Sequence, residues 1–367
     1  MARVPRKVLI DESESGVYHC VQRAVRRAFL CGYDSATGNN YDHRKGWIRR
    51  RMEQLAGQFG VEVCSYAVMS NHLHVILRNR PDVVKAWSDE EVALRWRNLF
   101  PRRRDKDGRP SKPEEFELKI LTLDKKKLKE VRERLSSISW FMRALAEPIA
   151  RRANKEDQCT GRFWEGRFKC QPLLDEAAIL ACSAYVDLNP VRAGVAKTPE
   201  SSEFTSAHDR IKALKKQRVG GKLRARQAAE RSKRSKERQR REWLCQLSLV
   251  GQRVETVSPV SKGARTNTPG QRATNKGFLP VRLKAYLKLL DWTGRQIRDD
   301  KRGSIPSHLQ PILDRLQING DVWVETVKEF GRKFRRAAGS PESLSAEAAR
   351  QDSNWLQGTH AAATVFG

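Results

Sequence analysis

Two β-like runs, Val61 to Met69 and His72 to Arg78, stand on either side of Ser70-Asn71. A turn pair this short between two such runs predicts an antiparallel hairpin. Side chains alternate along a strand. His72 and His74 therefore share one face, while Leu73 and Val75 point the other way into a core. Two imidazoles side by side are two arms of a metal site. A purely structural pair is the competing reading. The choice turns on whether the chain also supplies a third ligand and a reactive group.

The surrounding pattern extends the hairpin into a sheet. Gly16 to Gln22 is rich in β-formers and predicts a first strand. Trp47, Ile48, Met52, Leu55 and Ala56 recur at helical spacing and predict a helix over 43–59, with Gly57 and Gly60 at its end. Residues 80–135 read as an insertion: a short helix from Asp89 to Phe100, a charged loop over 101–110, and a solvated helix from Lys125. That helix is expected to run on through Ile138, Phe141, Met142 and Leu145 until Pro148 kinks or ends it. The aromatic stretch 161–170 alternates loosely as a strand. Asp175 is a candidate N-cap for a helix that reaches Tyr185 and finishes before Pro190. The order β–α–β–β–α–(β)–α predicts an α+β fold, an antiparallel sheet with helices on one face. Beyond this core, to about residue 208, the expectations thin out. Residues 209–245 read as a basic helix or linker, and 246–367 as a partly disordered extension. Leu283, Tyr286, Leu287 and Leu290 suggest a small helical module within 280–334, and the last thirty or so residues a tail.

Charge speaks to partners rather than to fold. Lys and Arg number 72 against 43 Asp and Glu, a net +29. Nucleic acid is the polyanion such an excess suits, with a solvated cationic surface or an anionic membrane as the alternatives. The window 210–241 alone holds 15 Lys or Arg against Glu230 and Glu237. A salt-sensitive, sequence-independent contribution to DNA affinity and a solvated helix or linker are both open for it. Arg49 to Arg51 and Arg102 to Arg104 read as general electrostatic surface. Seven scattered cysteines without a CxxC argue against a disulfide framework or a structural zinc module, and for a reducing compartment. No apolar run approaches the roughly 20 residues that span a bilayer. With no signal-peptide pattern at the N-terminus, the expected setting is cytoplasmic or nucleoid-associated, with no membrane partner.

Tyr185 and Asn189 are i and i+4, so on one helix face a phenol and a carboxamide stand together. Placed over the histidines, they would supply a nucleophile and a third ligand. A half-buried core tyrosine and a turn-forming asparagine are the structural alternatives. Met69-Ser70-Asn71 followed by His72-Leu73-His74 resembles the His-hydrophobe-His (HUH) motif of single-tyrosine transposases of the insertion-sequence-200-like class. Phe163-Trp164-Glu165-Gly166-Arg167-Phe168-Lys169, with the run from Tyr185 to Gly194, resembles the branch called REP-associated tyrosine transposases. The resemblance spans roughly residues 14–208. It implies a ferredoxin-like fold and a single-stranded-DNA endonuclease and strand transferase acting through a covalent 5'-phosphotyrosine. It further implies Tyr185 as nucleophile, and His72, His74 and Asn189 as ligands to Mg²⁺ or Mn²⁺. The long segment after the His pair and residues 209–367 depart from the small members of that family. They leave the DNA target, and monomer or homodimer, open. Arg162, Arg167 and Lys169 interleave with Phe163, Trp164 and Phe168, a pattern suited to the phosphates and bases of single-stranded or hairpin DNA. The even alternative is that the aromatics are core and only the cations face solvent. His19 on the first strand is either a neighbour of the site or a hydrogen-bonded core histidine. Two competing functions remain: a catalytically idle DNA-hairpin-binding regulator on the same fold, and a small-substrate metallohydrolase, which the charge disfavours.

Overall fold

The protein is described by a computed structural model over residues 5–25, 31–34, 38–107, 110–222, 243–248, 272–274, 276–299 and 308–366. Most of the basic run 210–241 and of the polar stretch 258–275 lies outside these residues. In chain order the elements begin with α1 (Arg6–Leu9), β1 (Val17–Arg23), α2 (His43–Ala56), β2 (Val61–Val68) and β3 (His72–Asn79). The insertion contributes α3 (Pro81–Lys85), α4 (Asp89–Leu99), α5 (Glu115–Leu123) and α6 (Lys125–Ser136). Then come α7 (Ile138–Glu156), β4 (Lys169–Leu173), α8 (Glu176–Asp187), α9 (Asn189–Arg192) and α10 (Ser206–Lys222). The C-terminal part adds α11 (Leu283–Asp299), α12 (Gln310–Asp314), α13 (Trp323–Lys333), α14 (Pro341–Arg350) and α15 (Thr359–Phe366).

The four strands form one antiparallel sheet in the order β2-β3-β1-β4. The expected hairpin is present as β2 and β3, and the class is α+β. The layering departs from the expectation of helices on one face. Tyr18, Cys20, Leu73, Val75 and Leu77 pack with the apolar stripes of α2 and α7 on one side. Cys64, Ala67, Ile76 and Leu173 pack with α8 and the C-terminal helices on the other. Both faces are thus buried, and β2 is buried along its whole length, as expected of a strand covered on each side. One-face alternation underestimates this because α8 and its partners lie far apart in the chain.

Two breaks were misplaced by periodicity alone. The helix expected from Lys125 through Ala146 is divided at Ser137, whose hydroxyl accepts from the Trp140 amide and starts α7 afresh. Pro148 does not end α7, which runs on to Glu156. A helical proline frees the carbonyl four residues earlier. Here that carbonyl belongs to Ala144, and Arg51 Nε donates to it at 3.0 Å. Arg51 is therefore structural, not general surface. Arg49 pairs with Asp209 at 3.0 Å, and Arg103 with Glu114 and Glu117.

The residues expected to form a tail are two helices. Leu344 and Ala348 of α14 and Val365 and Phe366 of α15 are buried, with Phe366 stacked on Phe334 just past α13. Both sheet edges are covered by the chain beyond α10. The Cys245 amide donates to Val63 at 2.8 Å beside β2, and Ala338 exchanges backbone hydrogen bonds with Pro172 and Leu174 beside β4. Buried Glu62 receives Arg78 Nε at 2.7 Å and the Thr274 hydroxyl, and Arg78 also donates to the carbonyls of Gly277 and Lys276. This charge cluster ties Thr274, Lys276 and Gly277 to the β2–β3 edge.

Candidate active site

The sheet face opposite α2 and α7 carries the histidines. His72 and His74 lie on it together, with ring centroids 4.8 Å apart. The register sets Arg23 opposite His72 and Val21 opposite His74. His19, two residues before Val21, therefore falls diagonally beside His74. The rings stack, with His19 Nε2 2.8 Å from His74 Nδ1. Across β1 and β4 His19 faces Gln171, whose Oε1 is 3.2 Å from His19 Nδ1. Gln171 Nε2 donates to the Phe334 carbonyl at 2.6 Å. His72 Nδ1 lies 2.6 Å from Asn71 Oδ1 in the turn.

Helix α8 crosses this face. It starts where Asp175 caps it, its carboxylate accepting from the Ala178 amide at 2.9 Å. Its last turn brings Tyr185 edge-on to His74 at 5.6 Å and to His19 at 6.0 Å between centroids. The Arg192 guanidinium lies 4.5 Å over the Tyr185 ring, a cation–π contact that also sets positive charge beside the phenol. Phe330 of α13 packs 5.7 Å from that ring. Gly331 leaves room for it, since a Cβ there would stand 3.0 Å from the phenolic oxygen. Tyr185 and Asn189 do not share one uninterrupted helix. α8 ends at Asp187, and Asn189 opens α9 with Pro190 in the first turn, where its missing N–H costs nothing. Asn189 is buried, and its amide nitrogen has no hydrogen-bond partner.

The electrostatics keep the imidazoles neutral. Burial first, then the charges of Arg23 and Arg192, push His72 down to about 4. Burial lowers His19 to about 4 against the opposing bond from Gln171, and holds His74 well below the ordinary range. At neutral pH these rings are hydrogen-bonding bases with lone pairs, framed by two arginines.

No protein-family model matches the chain, and no curated protein matches it. Among solved structures, a REP-associated tyrosine transposase bound to a REP hairpin is similar at 13% identity and a TM-score of 0.32, over 53% of this chain and 79% of that one. A superposition this loose assigns no residue. Among the described residues, no group of three or more His, Cys, Asp or Glu side chains is set to hold a metal ion. No described helix is long and apolar enough to cross a membrane.

The fold brings His72, His74 and Tyr185 together within one chain. The expected DNA contacts are more scattered. Lys169 is exposed on the histidine face, level with Val21 and His74 and about 10 Å from the latter by strand spacing. Arg162 and Arg167 are exposed on the preceding loop. Trp164 is half-buried, and its indole N–H donates to the Ala146 carbonyl of α7 at 2.8 Å, while Phe168 is buried. The aromatics of this stretch thus anchor it to the core. Residues missed by sequence reasoning are Gln171, Arg23, Arg192 and Phe330. Arg23 shared the i, i+2, i+4 face of His19, and Arg192 followed Tyr185 by two helical turns, so both had a signal. Gln171 and Phe330 had none without the strand register and the C-terminal packing.

Proposed function

We propose that the chain is a single-tyrosine HUH transposase of the REP-associated type, built on a ferredoxin-like β–α–β–β–α–β core. In this reading it nicks and rejoins single-stranded, hairpin-bearing DNA. The observation that carries the reading is the placement of the Tyr185 ring against His74 and His19 on one sheet face of the same chain. A phenol, three neutral imidazoles and two arginines in one site match what phosphodiester transfer needs. Tyr185 attacks the phosphorus and a 3'-hydroxyl leaves, so the 5'-phosphate is held as a tyrosine ester. Return of a 3'-hydroxyl reverses the step and rejoins the strand. The Arg192 guanidinium over the Tyr185 ring stands ready for the charge that builds on the non-bridging oxygens. Lys169 and the +29 body hold the anionic strand.

The donor set fits a divalent ion. His72 and His74 offer neutral imidazole nitrogens, and the ligating atom of buried Asn189 would be its carboxamide oxygen. These three would hold Mg²⁺ or Mn²⁺, with water and phosphate oxygens filling the shell. A bound ion would polarise the scissile phosphate as a Lewis acid.

The covalent step is decided on a denaturing gel with a hairpin oligonucleotide and Mn²⁺. Wild-type protein should carry a covalent DNA adduct, Tyr185→Phe none, with DNA affinity within about twofold of wild type. His72→Ala should lose the metal-dependent cleavage. An adduct persisting in the Phe variant would remove Tyr185 as nucleophile. The close seating of the phenol under Gly331 and Phe330 favours a second reading, a catalytically idle hairpin-binding regulator. Tight binding with no adduct in the wild-type protein at any metal concentration would select it.

A further inference from the structure

The three contacts that run from α13 to His74 form a chain whose proton positions follow from one end. A backbone carbonyl only accepts, so Gln171 must turn its NH₂ group toward Phe334. Its Oε1 then faces His19 Nδ1 and only accepts, so His19 carries its proton on Nδ1. A neutral ring protonated there has its lone pair on Nε2, which lies 2.8 Å from His74 Nδ1. His74 must donate, and its own lone pair is left on Nε2. His72 reaches the same state separately, since its Nδ1 faces the Asn71 amide oxygen at 2.6 Å.

We propose that Gln171 and His19, anchored on the main chain at the end of α13, are positioning residues that hold His74 in its Nδ1-protonated tautomer and so present Nε2 as a ligand. The inference deepens the metal-dependent reading above and rests on it for the identity of what Nε2 binds. It assigns a role to a histidine outside the His-hydrophobe-His pair and to a glutamine on the edge strand. It also makes the C-terminal extension part of the site, because the relay's fixed end is the Phe334 carbonyl. A partner that orients a metal-binding imidazole through its other nitrogen commonly changes metal affinity 10- to 100-fold when removed.

Nitrogen-15 NMR of the imidazoles in the metal-free full-length chain at pH 7 reads the tautomers directly. His19, His72 and His74 should all show protonated Nδ1 and unprotonated Nε2. In Gln171→Leu, His19 loses its acceptor, and His74 should move to a mixture of tautomers while His72 stays unchanged. Mn²⁺ affinity, read by electron paramagnetic resonance of the free ion, should fall on the order of tenfold in Gln171→Leu and in His19→Phe. His74 protonated on Nε2 in the wild-type chain overturns the relay without any variant having to fold. So does an unchanged His74 spectrum in Gln171→Leu, with circular dichroism confirming the fold. If the tautomers are as assigned but the wild-type chain binds no Mn²⁺, the relay stands and the metal leaves the proposed function.

Discussion

At the residue scale, the site sets imidazoles that the fold keeps uncharged beside two arginines. His19, at about 4, refuses a proton that the unfolded chain accepts near 6.5. Between those values the unfolded state binds more protons, so stability rises with pH across the window and is lost as pH falls toward 4. The slope from one such histidine approaches about 1.4 kcal/mol per pH unit. Urea denaturation from pH 7 to 4 should therefore steepen below pH 6.5, and His19→Phe should flatten the profile by about one histidine's share. A profile identical in the two proteins would mean that His19 is solvated or charged. The His-x-His spacing and Tyr185 were legible as residues because strand alternation and motif order need no distant partner. Gln171 was not, since its meaning is a cross-strand register to His19 and a carbonyl from α13.

At the element scale, α7 shows how one helix borrows what its sequence lacks. Pro148 leaves the Ala144 carbonyl without its helical donor, and Arg51 of α2 replaces it. Removing that donor buries an unpaired carbonyl, at a cost of about 1–3 kcal/mol. Arg51→Met should lower stability by about that amount in the wild-type background and by clearly less beside Pro148→Ala, which restores the helical N–H. Equal losses in the two backgrounds, measured as a double-mutant cycle, would disconnect the arginine from the proline. Periodicity predicted a helix here but placed its stop at Pro148, because the rescue comes from α2. The same holds for Ser137. A serine between two apolar stretches is unremarkable until its hydroxyl is seen to cap the second.

At the scale of the whole molecule, the extension past residue 208 belongs to the core. Arg210 of α10 donates to the carbonyls of Cys64 and Cys245, and Asp209 receives the Tyr66 hydroxyl at 2.7 Å. The basic window that begins at 210 thus starts with a structural arginine. Excising 210–241 should unfold the protein. Replacing 223–242 by an uncharged Gly/Ser linker of the same length should preserve its thermal transition and reduce the salt dependence of DNA binding, measured as log K against log salt. An unchanged slope would place that segment's charges off the DNA. The strand expected over 161–170 is instead a loop, and β4 runs from Lys169 to Leu173. The sequence by itself determined β1, β2 and β3, the α2 helix, the cap at Asp175, the shared face of His72 and His74, and a charge suited to a polyanion. Those properties are set by neighbours within a few residues or by a sum over the chain. Only the tertiary structure decided that both sheet faces are covered, that the last residues are helices, and that His19, Gln171 and the Phe334 carbonyl line up behind His74. Those depend on contacts between segments far apart in sequence, where local periodicity carries no information about which surfaces meet.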